Sequence, residues 1–219
     1  DENRELLSSY LRRFGFGTLT GIDLPGEQSD RLKSADEMKR INAATISYGQ
    51  GISVTPIQLI SAFQSIANDG VRMRPLIVKS LIDRDGATVL SYRPEKINRP
   101  VTPETARIMK DYLVNVVTEG TGKKAQVRGY IVAGKTGTAQ IPLKTGGYDP
   151  YNCIASFVGF VPADDPRLVI LVKIDAPQGE KHYGGQVAAP VFSKIASIAL
   201  IHLGIPPDGD INNNKYGGI

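Results

Sequence analysis

One lysine sits among small and hydroxyl-bearing residues in the stretch Ala133-Gly134-Lys135-Thr136-Gly137-Thr138-Ala139-Gln140. The stretch follows the apolar run Tyr130-Ile131-Val132 and ends at Pro142. Small and β-branched residues in such a run favour an extended strand over a helix. The two glycines leave room for something to lie against the backbone. At a sheet edge this strand offers amide donors, two hydroxyls and one ammonium, which suits an extended chain ending in a carboxylate. Alternation puts Lys135, Gly137 and Ala139 on one face, and Thr136 and Thr138 on the other. Both groups therefore reach one ligand only if the strand is an edge or twists at Gly137.

The same letters satisfy a second pattern. Gly129-Tyr130-Ile131-Val132-Ala133-Gly134-Lys135-Thr136 fits G-x-x-x-x-G-K-[ST], the nucleotide P-loop. Leu168 to Asp175 reads as the strand-then-aspartate that would hold Mg²⁺. Context argues against it. The four middle residues are too apolar to wrap phosphates, and Thr136 to Pro142 holds β-branched residues, a glycine and a proline that start a helix badly.

Other reactive types are sparse. The single cysteine, Cys153, lies in an apolar run and reads as buried core, with no basic neighbour to activate it. Two histidines, His182 and His202, are too few for a usual zinc site, so neither metal nor cofactor is expected. A net charge of +4 spread over scattered pairs such as Arg12-Arg13 and Lys123-Lys124 makes no nucleic-acid footprint. With 219 residues, 41% of them hydrophobic, the chain can bury a sizeable core. No apolar run approaches the roughly 20 residues that span a bilayer, and the polar start Asp1-Glu2-Asn3-Arg4 does not read as a signal peptide.

The elements that must position the lysine strand follow from periodicity. Glu2 to Arg13 reads as a helix closed by Gly15. Ser34 and Glu37 form a capping box that opens a weak helix, and Tyr48 to Gly51 is a loop. Thr55-Pro56 and Thr102-Pro103 each start a strong helix. The second carries Ile108, Met109, Tyr112, Leu113, Val116 and Val117 on one face. Asp85-Gly86 turns a hairpin between Val78–Ile82 and Thr88–Tyr92. Three strands, Tyr130–Ile141, Cys153–Val161 and Arg167–Asp175, follow with connections that suit antiparallel neighbours. The connection Leu143 to Tyr151 reads as long and mobile, and Gln178 to Gly185 as an exposed loop. Pro190 to Leu203 closes the fold as a helix, and the tail from Pro206 frays. The fold class is α+β, with helices packed on an antiparallel sheet.

Taken in order, these segments resemble a class B penicillin-binding protein, a monofunctional D,D-transpeptidase of the cell-division type. The residues that carry the resemblance are Leu11 to Gly17 with Thr20 to Glu27, Ser47-Tyr48-Gly49-Gln50-Gly51 through Pro56, and Lys135-Thr136-Gly137-Thr138-Ala139-Gln140. Phe157 to Pro162 and Tyr183-Gly184-Gly185 through Phe192 complete it. That family acylates a serine in a Ser-x-x-Lys box and uses a Ser-x-Asn box as well. None of the thirteen serines here has lysine three residues on or asparagine two residues on. In the family both boxes precede the helix that opens this chain. The expectation is that residues 1–205 are the C-terminal part of a penicillin-binding-protein/β-lactamase-like transpeptidase domain, with 206–219 a polar tail. A non-catalytic peptide-binding homologue is the alternative.

The resemblance implies roles. Lys135 polarises the proton network and attracts the substrate carboxylate, Thr136 and Thr138 hydroxyls bind it, and the Thr138 N–H is an oxyanion donor. Gly137 lets the substrate lie flat, as in strand addition. His182 and Tyr183 line the cleft, while Tyr48 and Gln50 read as packing residues. The partners implied are peptidoglycan stem peptides, β-lactams, the N-terminal half of the same protein and cell-division proteins. The domain would face the periplasm or cell exterior, with the membrane reached only through an anchor outside this chain. Covalent capture needs a nucleophile with a base in hydrogen-bond reach. The chain alone is therefore expected to be poorly stable and to form no adduct with labelled penicillin. Intact-mass spectrometry checks this, and a stoichiometric serine adduct would relocate the nucleophile.

Overall fold

Apolar alternation between residues 133 and 175 builds a sheet, and the helical segments before and after it supply the layers that cover it. The computed structural model describes residues 2–143, 145–179 and 182–208. In chain order the elements are α1 (Glu2–Arg13), α2 (Arg40–Ser47), α3 (Pro56–Ala67), β1 (Arg72–Met73), β2 (Ser80–Ile82), β3 (Thr88–Ser91) and β4 (Lys96–Asn98). Then come α4 (Pro103–Thr118), a 3₁₀ turn (Lys123–Ala125), β5 (Ala133–Pro142), β6 (Tyr148–Val161), β7 (Leu168–Asp175) and α5 (Gly184–His202).

The sheet runs β5-β6-β7 with both pairings antiparallel. Its register sets Lys135 beside Val158 and Leu171, and Gly137 beside Ser156 and Lys173. One face packs on α5: Phe157 and Val172 meet Ala189, Phe192, Ala196 and Leu200. The Phe157 and Phe192 rings stand edge to face, with centroids 4.7 Å apart, a geometry favoured by the ring quadrupoles. At one end of the other face Ala133 and Phe160 pack with Ile66 of α3 and Leu113 and Val114 of α4. The α+β reading thus holds, and so do both Thr-Pro helix starts. Thr55 Oγ1 accepts from Gln58 N while Gln58 Oε1 accepts from Thr55 N, and Thr102 Oγ1 accepts from Thr105 N. Pro56 and Pro103 sit in first turns, where a missing N–H costs nothing.

Several expectations are corrected. Glu37 accepts from both Ser34 N and Ser34 Oγ, only the first of which is a capping-box bond, and a turn follows, so the helix begins at Arg40. The core-facing stripe of α4 is rotated to Ala106, Leu113, Val114 and Val117, leaving Ile108, Met109 and Tyr112 exposed. That stripe, through Leu113 and Val114, is what packs on Ile66, Ala133 and Phe160, and at its margin the largely buried Lys110 side chain places its ammonium 3.0 Å from Asp69, just past the end of α3. The 143–151 connection is shorter than read, because β6 already starts at Tyr148, paired with Pro142. The last helix begins six residues before Pro190, since packing against β5 outweighs the poor propensity of Gly184-Gly185.

The segment 206–208 does not fray. Ile131 N donates to Asp208 Oδ2 at 2.5 Å, Asp208 N donates to Gly129 O, and Tyr130 Oη donates to Ile205 O. The remainder of the expected tail lies outside the described residues. Asp208 is partly buried, and that burial holds its carboxyl above the usual range against the opposing bond from Ile131.

The Thr20–Glu27 segment carries a testable charge. Burial opposes ionisation of Glu27, but Thr20 N, Thr20 Oγ1 and Gly21 N all donate to its carboxylate and hold it below the usual glutamate range. A depressed folded value contributes stability that is present above the unfolded value and lost as pH falls through the folded one. Glu27→Gln is expected to cost about 1 kcal/mol at pH 7. The deficit should shrink as pH drops below about 4.5, as read by urea unfolding.

Candidate active site

β5 is an edge strand: among the described residues it pairs with β6 and nothing lies on its other side in the sheet. That edge is where the site assembles. Lys135 is exposed, and its long stem curls back so that Nζ donates to Thr136 O at 3.0 Å and reaches Thr136 Oγ1 at 3.4 Å. The ammonium thus leaves its own face of the strand and joins the threonine side. The two-face problem posed by alternation is solved by side-chain reach at an open edge.

Thr138 Oγ1 accepts from Gly184 N, the first residue of α5, at 3.1 Å. A hydroxyl whose lone pair is occupied this way keeps its proton free to donate outward, beside the positive end of a helix dipole. Glycine is required there. A Cβ on Gly184 would lie 2.3 Å from both Gly137 O and Ser156 O. Gly185 is constrained too, by Thr121 O at 2.4 Å and Thr136 Cγ2 at 3.4 Å. The pair of glycines lets the end of α5 sit directly on β5 and β6.

Gly134 of the lysine strand plays a different part from that expected. Space above Gly134 is filled by the protein itself, since a Cβ there would lie 2.5 Å from Phe157 Cζ. Gly137 abuts the Ser156 hydroxyl, 2.5 Å from where its Cβ would be. Ser156 lies next to Lys173 in register, and Lys173 pairs with Asp175. The His182 and Tyr183 rings lie 4.3 Å apart between centroids, tilted at 41°, just before α5, with Tyr183 at its N-cap and exposed. The His182 carbonyl accepts from the buried Cys153 thiol at 3.3 Å.

Beside this edge opens a cavity of about 630 Å³. Gly137 and Thr138 line it along with Ser156 and Lys173, and the Tyr48–Thr55 loop forms the facing wall. Lys135, Thr136, His182 and Tyr183 lie outside its lining. Tyr48 and Gln50 do line it, and Tyr48 is 69% exposed rather than packed. Sequence reasoning also missed Ser156, Lys173 and Thr121. The Thr121 hydroxyl lies 2.8 Å from that of Thr136, and the signal that could have flagged it is the flanking Gly120 and Gly122. Context excludes the P-loop reading as well: Ala133 to Pro142 is one continuous strand, with no helix following Lys135-Thr136.

The site is thus an edge strand bearing Lys-Thr-Gly-Thr, backed by a helix and bordered by a groove. The penicillin binding protein transpeptidase domain matches residues 3–197, and the chain belongs to that family. It is 42% identical over 214 residues to stage V sporulation protein D of Bacillus subtilis, covering 97% of this chain and 33% of that protein. It is 38% identical to the peptidoglycan D,D-transpeptidase FtsI of Buchnera aphidicola, covering 93% of this chain and 34% of that one. Penicillin-binding protein 3 of Mycobacterium tuberculosis, solved with ampicillin, superposes with a TM-score of 0.83 at 37% identity, over 92% of this chain and 46% of that one. The chain thus spans about a third of the length of these curated relatives.

The close contact at α5 yields a direct test. Gly184→Ala should push the helix off β5, remove the donor to Thr138 and destabilise the fold by about 1–3 kcal/mol, as measured by thermal or urea unfolding.

Proposed function

We propose that this chain is the strand-and-platform portion of a peptidoglycan D,D-transpeptidase. In this reading residues 1–205 belong to the transpeptidase domain, and residues outside the chain supply the nucleophilic serine and its proton acceptor. The observation that carries it is the exposed Lys135-Thr136-Gly137-Thr138 edge, with both hydroxyls held by internal partners and a groove alongside. FtsI of Buchnera aphidicola, named a peptidoglycan D,D-transpeptidase, supports the same reading.

The chemistry is acyl transfer in two steps. A serine oxygen attacks the carbonyl between the two terminal D-alanines of a stem peptide, and its proton passes to a base. The tetrahedral intermediate collapses, the C–N bond breaks, and D-alanine leaves as a protonated amine. An amine of a second stem peptide then attacks the ester and releases the serine. β-Lactams would enter by the same first step and remain attached.

This chain's own residues bind and orient. Lys135 places a positive charge where the terminal carboxylate docks, with Thr136 and Thr138 donating to it. The Thr138 N–H stabilises the oxyanion, a contribution that in such sites is worth about 3–4 kcal/mol. Gly137 keeps the strand low so that the substrate can add to the edge. Tyr183 and His182 flank the mouth. The domain would work outside the inner or plasma membrane, held by an anchor elsewhere in the protein and accompanied by cell-division proteins.

Lys135→Ala in the complete transpeptidase is expected to leave the fold intact, because an exposed lysine adds little stability, and to abolish acylation by labelled penicillin. Thr138→Ala should cost less, since its backbone donor survives. Normal acylation by Lys135→Ala would remove the lysine from the assigned role.

A further inference from the structure

We propose that Thr121 is a positioning residue of the carboxylate-binding edge, a third hydroxyl that fixes which way the Thr136 proton points. The inference rests on the reading of β5 as the substrate strand. Thr121 Oγ1 and Thr136 Oγ1 are 2.8 Å apart, and Lys135 Nζ reaches the same Thr136 oxygen at 3.4 Å.

A hydroxyl has one proton and two acceptor lone pairs. When Thr121 donates to Thr136, the Thr136 oxygen accepts from both Thr121 and Lys135. Its own proton then has no internal acceptor and points to the open edge. If the donation runs the other way, the Thr121 proton is the one left over. The arrangement proposed is the first, which alone leaves the Thr136 proton for the carboxylate. With Thr138, whose oxygen is held by Gly184 N, the edge offers two oriented O–H donors beside one ammonium. That set matches an anionic carboxylate at the end of a stem peptide or on a β-lactam.

The backbone holds Thr121 in place. Gly120 N donates to Asn115 O and Gly122 N donates to Val116 O, so the residue sits in a tight turn closing α4. The Thr121 carbonyl lies so near α5 that only glycine is tolerated at 185. Three segments, the turn after α4, β5 and the start of α5, therefore meet at Thr121 and Thr136. A hydroxyl placed for solubility alone would need none of this support.

The test uses the complete transpeptidase and two labelled β-lactams, one with a free carboxylate and one with that carboxylate methylated. Thr121→Val is expected to slow acylation by the free acid about fivefold, the range of one lost hydrogen bond, and to leave the ester unchanged. Thr121→Ser should restore the acid rate. Thr121→Ala serves as a second hydroxyl deletion with the smallest side chain, and thermal unfolding confirms that each variant folds. An equal slowing of acid and ester would overturn the proposal, as would an unchanged acid rate in both deletions. Lys135→Ala separates the two readings. If it acylates normally, the substrate-strand reading fails. If it is dead while Thr121→Val and Thr121→Ala match the wild type, only the role of Thr121 fails.

Discussion

The arrangement of this domain depends on one steric constraint: the first residue of α5 has no room for a side chain. Gly184 is pressed between the carbonyls of Gly137 and Ser156, and its N–H is spent on Thr138. That contact brings a helix N-terminus onto an edge strand, which aligns the α5 face bearing Phe192, Ala196 and Leu200 with the Phe157 side of the sheet. The same contact that closes the core also orients a hydroxyl at the edge. Stability and chemistry share it, so neither can be altered there without the other.

An open edge normally invites aggregation, since its unpaired amides and carbonyls template another chain. Here the edge carries Lys135, whose ammonium lies over the Thr136 carbonyl and hydroxyl. A charge on an edge strand blunts indiscriminate pairing, and under the proposed function the same charge would receive an anionic peptide.

Local signals made much of this legible in the sequence. Thr55-Pro56 and Thr102-Pro103 fixed two helix starts because capping and proline geometry act over four residues. The small and β-branched residues from Ala133 onward marked the lysine strand, and the glycine at 15 marked the end of α1. Misreadings came where distant partners decide. The buried stripe of α4 was misplaced because α4 carries apolar residues on two adjoining faces, and which one is covered depends on Ile66 and Phe160 of other elements. Gly184-Gly185 looked like a loop because its helical state is imposed by the strand beneath it. Thr121 carried no local signal, since its partner Thr136 is fifteen residues away. The role of Gly134 inverted for the same reason: its empty face belongs to Phe157 of the neighbouring strand.

The uneven support along β5 gives that strand a gradient of stiffness. Just ahead of it Ile131 is gripped twice, its N–H by Asp208 and its carbonyl by Ala163 N. Through Thr138 the strand is backed by α5 and by a partner, β6, that is itself paired with β7. Beyond Gln140 the ladder is irregular, and the opposing residues of β6 before Cys153 have no β7 neighbour. Two strands alone are marginally stable in water, so the far end of the hairpin belongs to the most easily opened part of the sheet. A ligand docking along this edge would meet a rigid anchor at Lys135–Thr138 and a compliant tip past it. One strand would thereby hold a fixed carboxylate while tolerating variation in the chain that trails from it.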